Sequence, residues 1–232
     1  MMWIRIIYRT FVPSKKDGDY MKTIILDFDG TIGDTRQCIV STTQLALARM
    51  GLPRAKDEDI IRLIGLPLIE MFHIMTDLDE VQLEEITKIY RDNFSDLAFG
   101  HVRAFPHVQE TIRRLYEDGY MMTIATSRGR QSLQALMEQL DIADDINTYM
   151  GDQDVTEKKP APEMVLKILE QTSTSPDEAI VVGDTVYDIE MGQRAGCMTC
   201  GVTYGNNSRE ELQRQGADYI IDDFAELLNI LK

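Results

Sequence analysis

Along this chain, short and mostly apolar runs alternate with longer stretches in which apolar residues recur every third or fourth position. Residues 22–26 (KTIIL), 121–125 (MMTIA) and 179–182 (AIVV) are of the first kind, each followed by Asp, Gly or a hydroxyl residue. Runs this short, closed by turn formers, predict buried strands. Residues 199–203 and 217–221 predict two more, while 107–118, 163–170 and 224–231 carry helical spacing. Strands alternating with helices argue an α/β fold, a doubly wound parallel sheet with helices on both faces. In such sheets, ligands bind beyond the carboxyl ends of the strands.

One stretch breaks the alternation. Residues 36–100 hold four helical segments in a row, at 39–50, 57–63, 67–75 and 80–97. Gly51-Leu52-Pro53 punctuates the first, and Asp79 stands where the last needs an N-cap. A compact helical insert behind a strand-end loop predicts a small lid that excludes water from that loop. Gly65, inside the insert, fits either a close backbone approach to a ligand or a plain helix-breaking turn. The expected organisation is a sheet-based core over 21–35 and 101–232, a helical cap over 36–100, and a leader over 1–20. In the leader, Trp3, Ile4, Ile6, Ile7 and Tyr8 are interrupted by Arg5 and Arg9, and no small-residue cleavage site follows. That pattern does not predict a signal peptide. It fits either a tag-like or mis-started extension or an added edge strand.

Composition narrows the function classes. The 232 residues are 44% apolar, enough for a real core, and carry a net charge of −15 with a pI near 4.6. So acidic a chain is poorly suited to nucleic acid or anionic membrane surfaces. No apolar run approaches the ~20 residues that a membrane helix needs. Three cysteines, Cys38, Cys197 and Cys200, make no spaced framework and predict a reducing, cytoplasmic setting. Cys197-Met198-Thr199-Cys200 spells C-x-x-C, but it overlaps a core strand and has no second pair or nearby His.

The chemistry gathers at strand ends. Asp27-Phe28-Asp29-Gly30-Thr31 closes the first strand with two carboxylates that share a face. Paired carboxylates repel unless a cation or a shared proton lies between them, which points to Mg²⁺, to a nucleophile with an acid/base partner, or to both. Thr126-Ser127-Arg128-Gly129-Arg130 follows the second strand, and Gly183-Asp184, with Asp188 four residues on, follows the third. Lys158-Lys159-Pro160 lies between these two. An acid pair, a hydroxyl, a lysine and a second acid pair would all meet at one sheet edge. His73, His101 and His107 are scattered and predict no catalytic part.

These motifs, in this order, resemble the haloacid dehalogenase superfamily and, within it, the phosphoglycolate phosphatase-like branch. The four motifs are Asp27-Phe28-Asp29-Gly30-Thr31, Thr126, Lys159 and Gly183-Asp184-x-x-x-Asp188, and the likeness spans about residues 21 to 225. The resemblance implies a Rossmann-like core with a helical cap after the first motif, Mg²⁺ dependence and an aspartyl-phosphate intermediate. On that reading Asp27 is the nucleophile and Asp29 the general acid/base, while Thr126 and the backbone amides of Gly30, Thr31 and Ser127 hold phosphoryl oxygens. Lys159 offsets their charge, favoured over Lys158 by the family's Lys-Pro pairing. Asp27, the Asp29 carbonyl and Asp184 surround the metal. Asp188 ligates it through water or caps a helix. Arg128 or Arg130 is placed to clamp a substrate carboxylate or second phosphate.

The implied activity is hydrolysis of a small anionic phosphomonoester, with phosphoglycolate first, and inorganic pyrophosphate or a sugar phosphate as alternatives. A β-phosphoglucomutase-like mutase carries His twelve residues past the nucleophile, where this chain has Ile39. Dehalogenating relatives lack the second aspartate supplied here by Asp29. A phosphate-sensing or partner-binding protein without turnover is the reading from another class. Oligomeric state, monomer or homodimer, is not written in the sequence.

Overall fold

The structure is a computed structural model that describes residues 21–231; the leader expected over 1–20 lies outside the described residues. Its centre is a six-stranded sheet in the order β5-β4-β1-β6-β7-β8, and every pairing in it is parallel. The strands are β1 (Thr23–Leu26), β4 (Met121–Ala125), β5 (Thr148–Met150), β6 (Ala179–Gly183), β7 (Met198–Val202) and β8 (Tyr219–Ile221). β1 is central, with Ile24 opposite Met122 on one side and Ile180 on the other. All four of its residues are buried, which is why it reads as a continuous apolar run without alternation.

The pleat divides the core between the two faces. Ile24, Leu26, Met122, Ile124, Ile180 and Val182 point into a cluster with α5 (Val108–Glu117) and α6 (Arg130–Gln139). Ile25, Val181 and Ala125 point the opposite way, against α7 (Glu163–Thr172) and α8 (Val186–Ala195). The fold is doubly wound. The same alternation settles C-x-x-C: Cys200 packs in the first cluster and Cys197 in the second. Both thiols are free, and burial pushes each up to about 12.

Helices α1 (Arg36–Arg49), α2 (Asp57–Arg62), α3 (Leu68–Met75) and α4 (Glu80–Ala98) follow β1 as one block. Two-residue strands bracket the block: β2 (Gly33–Asp34) pairs antiparallel with β3 (Arg103–Ala104). Asp79 caps α4 as its position predicts, accepting from the Gln82 amide at 2.9 Å. Inside the block Phe72 meets Tyr90 edge to face, with centroids 6.1 Å apart, and Tyr90 stacks on Phe94 at 5.7 Å. The remaining helices are α9 (Arg209–Gln215) and α10 (Leu227–Ile230). Among the described residues, no helix is long and apolar enough to cross a membrane.

Several boundaries depart from the sequence pattern. The seventh strand begins at Met198 and not at residue 199. Residues 224–231 form a 3-10 turn before a four-residue helix. Strands β2, β3 and β5 have only two or three residues, too few for a periodic signal to emerge.

Candidate active site

The chain changes direction across the sheet at β1, which lies between β4 and β6, and a crevice opens beyond the carboxyl ends of these three strands. Asp27 leaves β1 there, its amide donating to the Val182 carbonyl at 2.8 Å. Thr126 follows β4 and Asp184 follows β6. Asp188 sits on the first turn of α8 and takes hydrogen bonds from the Thr185 amide at 3.1 Å and hydroxyl at 2.7 Å. It caps its own helix as well as facing the crevice.

Carboxylate oxygens of Asp27, Asp184 and Asp188 lie within 4.8 Å of one another, all three side chains buried. Lys159, also buried, donates to Asp27 Oδ1 and Asp188 Oδ1, both at 2.6 Å. Lys158 points elsewhere, to the carbonyls of Asp152 and Val155. Burial alone would depress the Lys159 ammonium, but Asp188 and Asp27 outweigh it and hold its pKa above the ordinary lysine range. Burial pushes the Asp27 carboxyl well up against the pull of Lys159, and the charges of Asp188, Asp184 and Asp29 add to the push. Burial and then the Asp188 charge push Asp184 up to about 7.

This cluster suits a hard divalent cation. Its donors are all oxygen, and three carboxylates against one ammonium leave it negative. Two glycines make room for the Asp184 carboxylate. A Cβ on Gly205 would come within 2.4 Å of Asp184 Oδ2, and one on Gly30, whose φ is +93°, within 2.3 Å. Asp184 is steered by the Asn206 amide at 2.7 Å, the Asn206 side chain at 2.8 Å and the Thr31 hydroxyl at 3.3 Å.

A carboxyl whose folded pKa is raised binds more protons folded than unfolded, so stability falls as pH climbs from its unfolded value through about 7. The chelated protein is therefore expected to melt at a lower temperature at pH 8 than at pH 5. Mg²⁺ should raise the melting temperature more at pH 8, and Asp184→Asn should blunt that response. Thermal unfolding followed by circular dichroism checks it; an equal Mg²⁺ effect at both pH values contradicts it.

Asp29 stands apart from the acid cluster. Its carboxylate faces Arg128, whose Nε donates to Oδ2 at 3.0 Å and whose Nη2 donates to Oδ1 at 2.5 Å. The backbone amides expected to hold phosphoryl oxygens divide. Gly30 donates to the Gly33 carbonyl at 2.9 Å and Thr31 to the Phe28 carbonyl at 3.4 Å, so the turn itself occupies both. Ser127 keeps its amide without an acceptor among the described residues, while its hydroxyl donates to the Gly65 carbonyl of the helical block at 2.7 Å. The Thr126 hydroxyl accepts from the Arg128 amide at 3.2 Å, which leaves its proton to give.

A cavity of about 370 Å³ lies between the sheet edge and the helical block. Asp27, Asp29, Thr126, Ser127 and Arg128 line its floor, and Ile39, Leu66, Met71, Tyr90 and Phe94 line its walls.

Residues 24–202 match the family model of the haloacid dehalogenase-like hydrolases. The chain belongs to that family. Among curated relatives, pyrophosphatase PpaX of Bacillus cereus (strain G9842) is 31% identical over 211 residues, covering 91% of this chain and 96% of that protein. A solved structure of "a predicted phosphoglycolate phosphatase" from Haemophilus somnus 129pt is similar, with a TM-score of 0.82 and 25% identity over 91% of this chain and 98% of that one. A hydrolase from Pseudomonas syringae matches equally well, at TM-score 0.82 and 26% identity, again over 91% and 98%. Within this haloacid dehalogenase-like frame, the sequence reading missed the loop after β7. Gly205, Asn206 and Asn207 reach Asp184, and the Tyr204 hydroxyl donates to the Thr31 carbonyl at 3.0 Å. A turn-forming run directly behind a parallel strand, on the ligand-binding edge, was the available signal.

Proposed function

We propose that this chain is a Mg²⁺-dependent phosphatase that hydrolyses a small phosphomonoester through an aspartyl-phosphate intermediate. One observation carries the reading. Asp27 is buried with Oδ1 held by Lys159, while its Oδ2 accepts no hydrogen bond among the described residues and the side chain lines the cavity. A carboxylate fixed by one oxygen and open at the other is poised as a nucleophile.

Asp27 attacks phosphorus, and the bond to the leaving oxygen breaks as Asp29 supplies that oxygen with a proton. Water then attacks the phosphoryl group on Asp27. Asp29 takes the proton from that water, and the Asp27 carboxylate is restored with release of phosphate. Thr126, through its hydroxyl, and Ser127, through its amide, hold the phosphoryl oxygens as neutral donors, and Lys159 balances charge on Asp27. Gly30 and Thr31 act less directly: their amides brace the turn, and the Thr31 hydroxyl orients Asp184. Asp27, Asp184 and Asp188, with the Asp29 carbonyl, would hold Mg²⁺, which when bound supplies charge stabilisation to the transferring phosphoryl group.

Residues 21–35 and 101–232 serve as the catalytic core in this reading, and 36–100 as a cap that closes over the substrate and excludes water. A 370 Å³ cavity is the size for a small metabolite. Phosphoglycolate stands first. Pyrophosphate is the second reading, favoured by the 31% identity to a protein named pyrophosphatase PpaX. Unpaired cysteines fit a reducing cytoplasm. The test is phosphate release from phosphoglycolate, pyrophosphate and hexose phosphates, with Mg²⁺ and with chelator. Mg²⁺-dependent release from one small compound supports the reading. Folded, Mg²⁺-loaded protein that releases none moves the case to a phosphate-sensing protein.

A further inference from the structure

Arg128 is buried at the meeting point of core and helical block. Its guanidinium carbon lies 4.2 Å from the Phe94 ring centroid of α4 and 5.8 Å from that of Phe28. Nε and Nη2 hold both carboxylate oxygens of Asp29, and Nη1 donates to the Ser132 hydroxyl at 2.8 Å. A bidentate guanidinium–carboxylate pair is strong and directional, and more so where water is scarce. With each oxygen accepting from the fork, Asp29 is held facing Arg128 and cannot swing to an ester oxygen above Asp27 without letting go. Something must take its place on Arg128 before it can act.

The cavity admits one kind of substitute. Arg128 and Asp29 both line it, so an incoming group reaches the pair directly. Arg91, the other cation in the lining, is half-exposed on α4 and pairs with Asp152 at 3.5 Å, without contact to Asp29, and Lys159 is held inside the acid cluster. We infer that Arg128 is an exchange partner: an anionic group beside the ester oxygen of the substrate takes over the guanidinium fork and releases Asp29 toward the leaving oxygen. That group is a carboxylate or a second phosphate. A substrate with a neutral alkyl group there binds with Asp29 still held. Selection then acts on turnover as well as on binding, because the substrate's own charge completes the catalytic arrangement. Arg128 is thus a positioning residue for Asp29 and a contact for substrate. The inference rests on the phosphatase reading proposed above.

The experiment measures kcat and KM with Mg²⁺ for 2-phosphoglycolate, pyrophosphate and ethyl phosphate, using wild type, Arg128→Met and Arg128→Lys, with Asp27→Asn as the blank. Wild type is expected to turn over at least one anionic substrate about tenfold or more faster than ethyl phosphate. Which of the two does so tells carboxylate from phosphate. Arg128→Met should bring that kcat ratio toward one and raise KM for the anionic substrate. Arg128→Lys keeps the charge without the fork, so it should recover KM more than kcat. Equal wild-type kcat on all three substrates overturns the inference. So does a uniform kcat loss in Arg128→Met with KM unmoved, which would make Arg128 a fixed prop for Asp29. In either case, release that vanishes in Asp27→Asn leaves the phosphatase reading standing. Release from none of the three substrates, nor from the hexose phosphates of the panel above, overturns both. Circular dichroism verifies the variants, and if Arg128→Met fails to fold, the same comparison is decided on Arg128→Lys.

Discussion

Asp27→Asn is expected to abolish phosphate release, by roughly 10³-fold or more, while leaving the protein folded. The amide keeps the volume of the carboxylate and an oxygen for Lys159, yet it cannot form the mixed anhydride that the proposed reaction requires. Stability should hold or rise. Burial and three neighbouring carboxylates already oppose the charge on Asp27, so a neutral side chain relieves repulsion that folding otherwise has to overcome. Turnover assays paired with thermal melting separate the two effects. Lost activity with an unchanged or higher melting temperature matches the expectation; activity within a few-fold of wild type removes Asp27 from the role of nucleophile.

Lys159→Met should cost stability as well as activity. The ammonium is the partner of two buried carboxylates at 2.6 Å, and its side chain is fully shielded. Taking one member from a buried ion network leaves uncompensated charge, at a cost of about 3–5 kcal/mol. Urea unfolding of the chelated protein at pH 8 is expected to show that loss. The loss should shrink at pH 5, because the carboxyl of Asp184, pushed up to about 7, protonates there and its share of the repulsion disappears. Methionine fills a similar volume, so the effect is electrostatic and not a cavity. Equal unfolding midpoints for wild type and variant at pH 8 would contradict the account of the cluster.

The sequence made the frame of this site legible because the frame is built from buried strands. β1, β4 and β6 are covered on both faces, so each reads as an unbroken apolar run, and Asp27, Thr126 and Asp184 declare themselves by standing at the ends of those runs. The helices of the insert were legible for a related reason: Leu83, Ile86, Tyr90 and Phe94 fall on one buried face of α4.

What stayed hidden depends on partners remote in the chain. Arg128 reads as a clamp for a substrate anion, and nothing local shows that the fold sets Asp29, ninety-nine positions away, against it and closes Phe94 over its plane. Gly30 and Thr31 read as phosphate-cradling amides, since nothing local reveals that the Gly33 and Phe28 carbonyls accept from them. Asn206 gave no sign of steering Asp184, because a turn asparagine has an adequate local explanation.

If phosphate passes through Asp27, a phosphoryl group can be trapped on that side chain. Wild-type protein with Mg²⁺ is mixed with a turned-over substrate, quenched in acid within the first turnovers and digested for mass spectrometry. A phosphoryl group is expected on the peptide that holds Asp27, absent when chelator replaces Mg²⁺ and absent in Asp27→Asn. Steady turnover with that peptide unmodified at every quench time, or with the phosphoryl group on another residue, would contradict it.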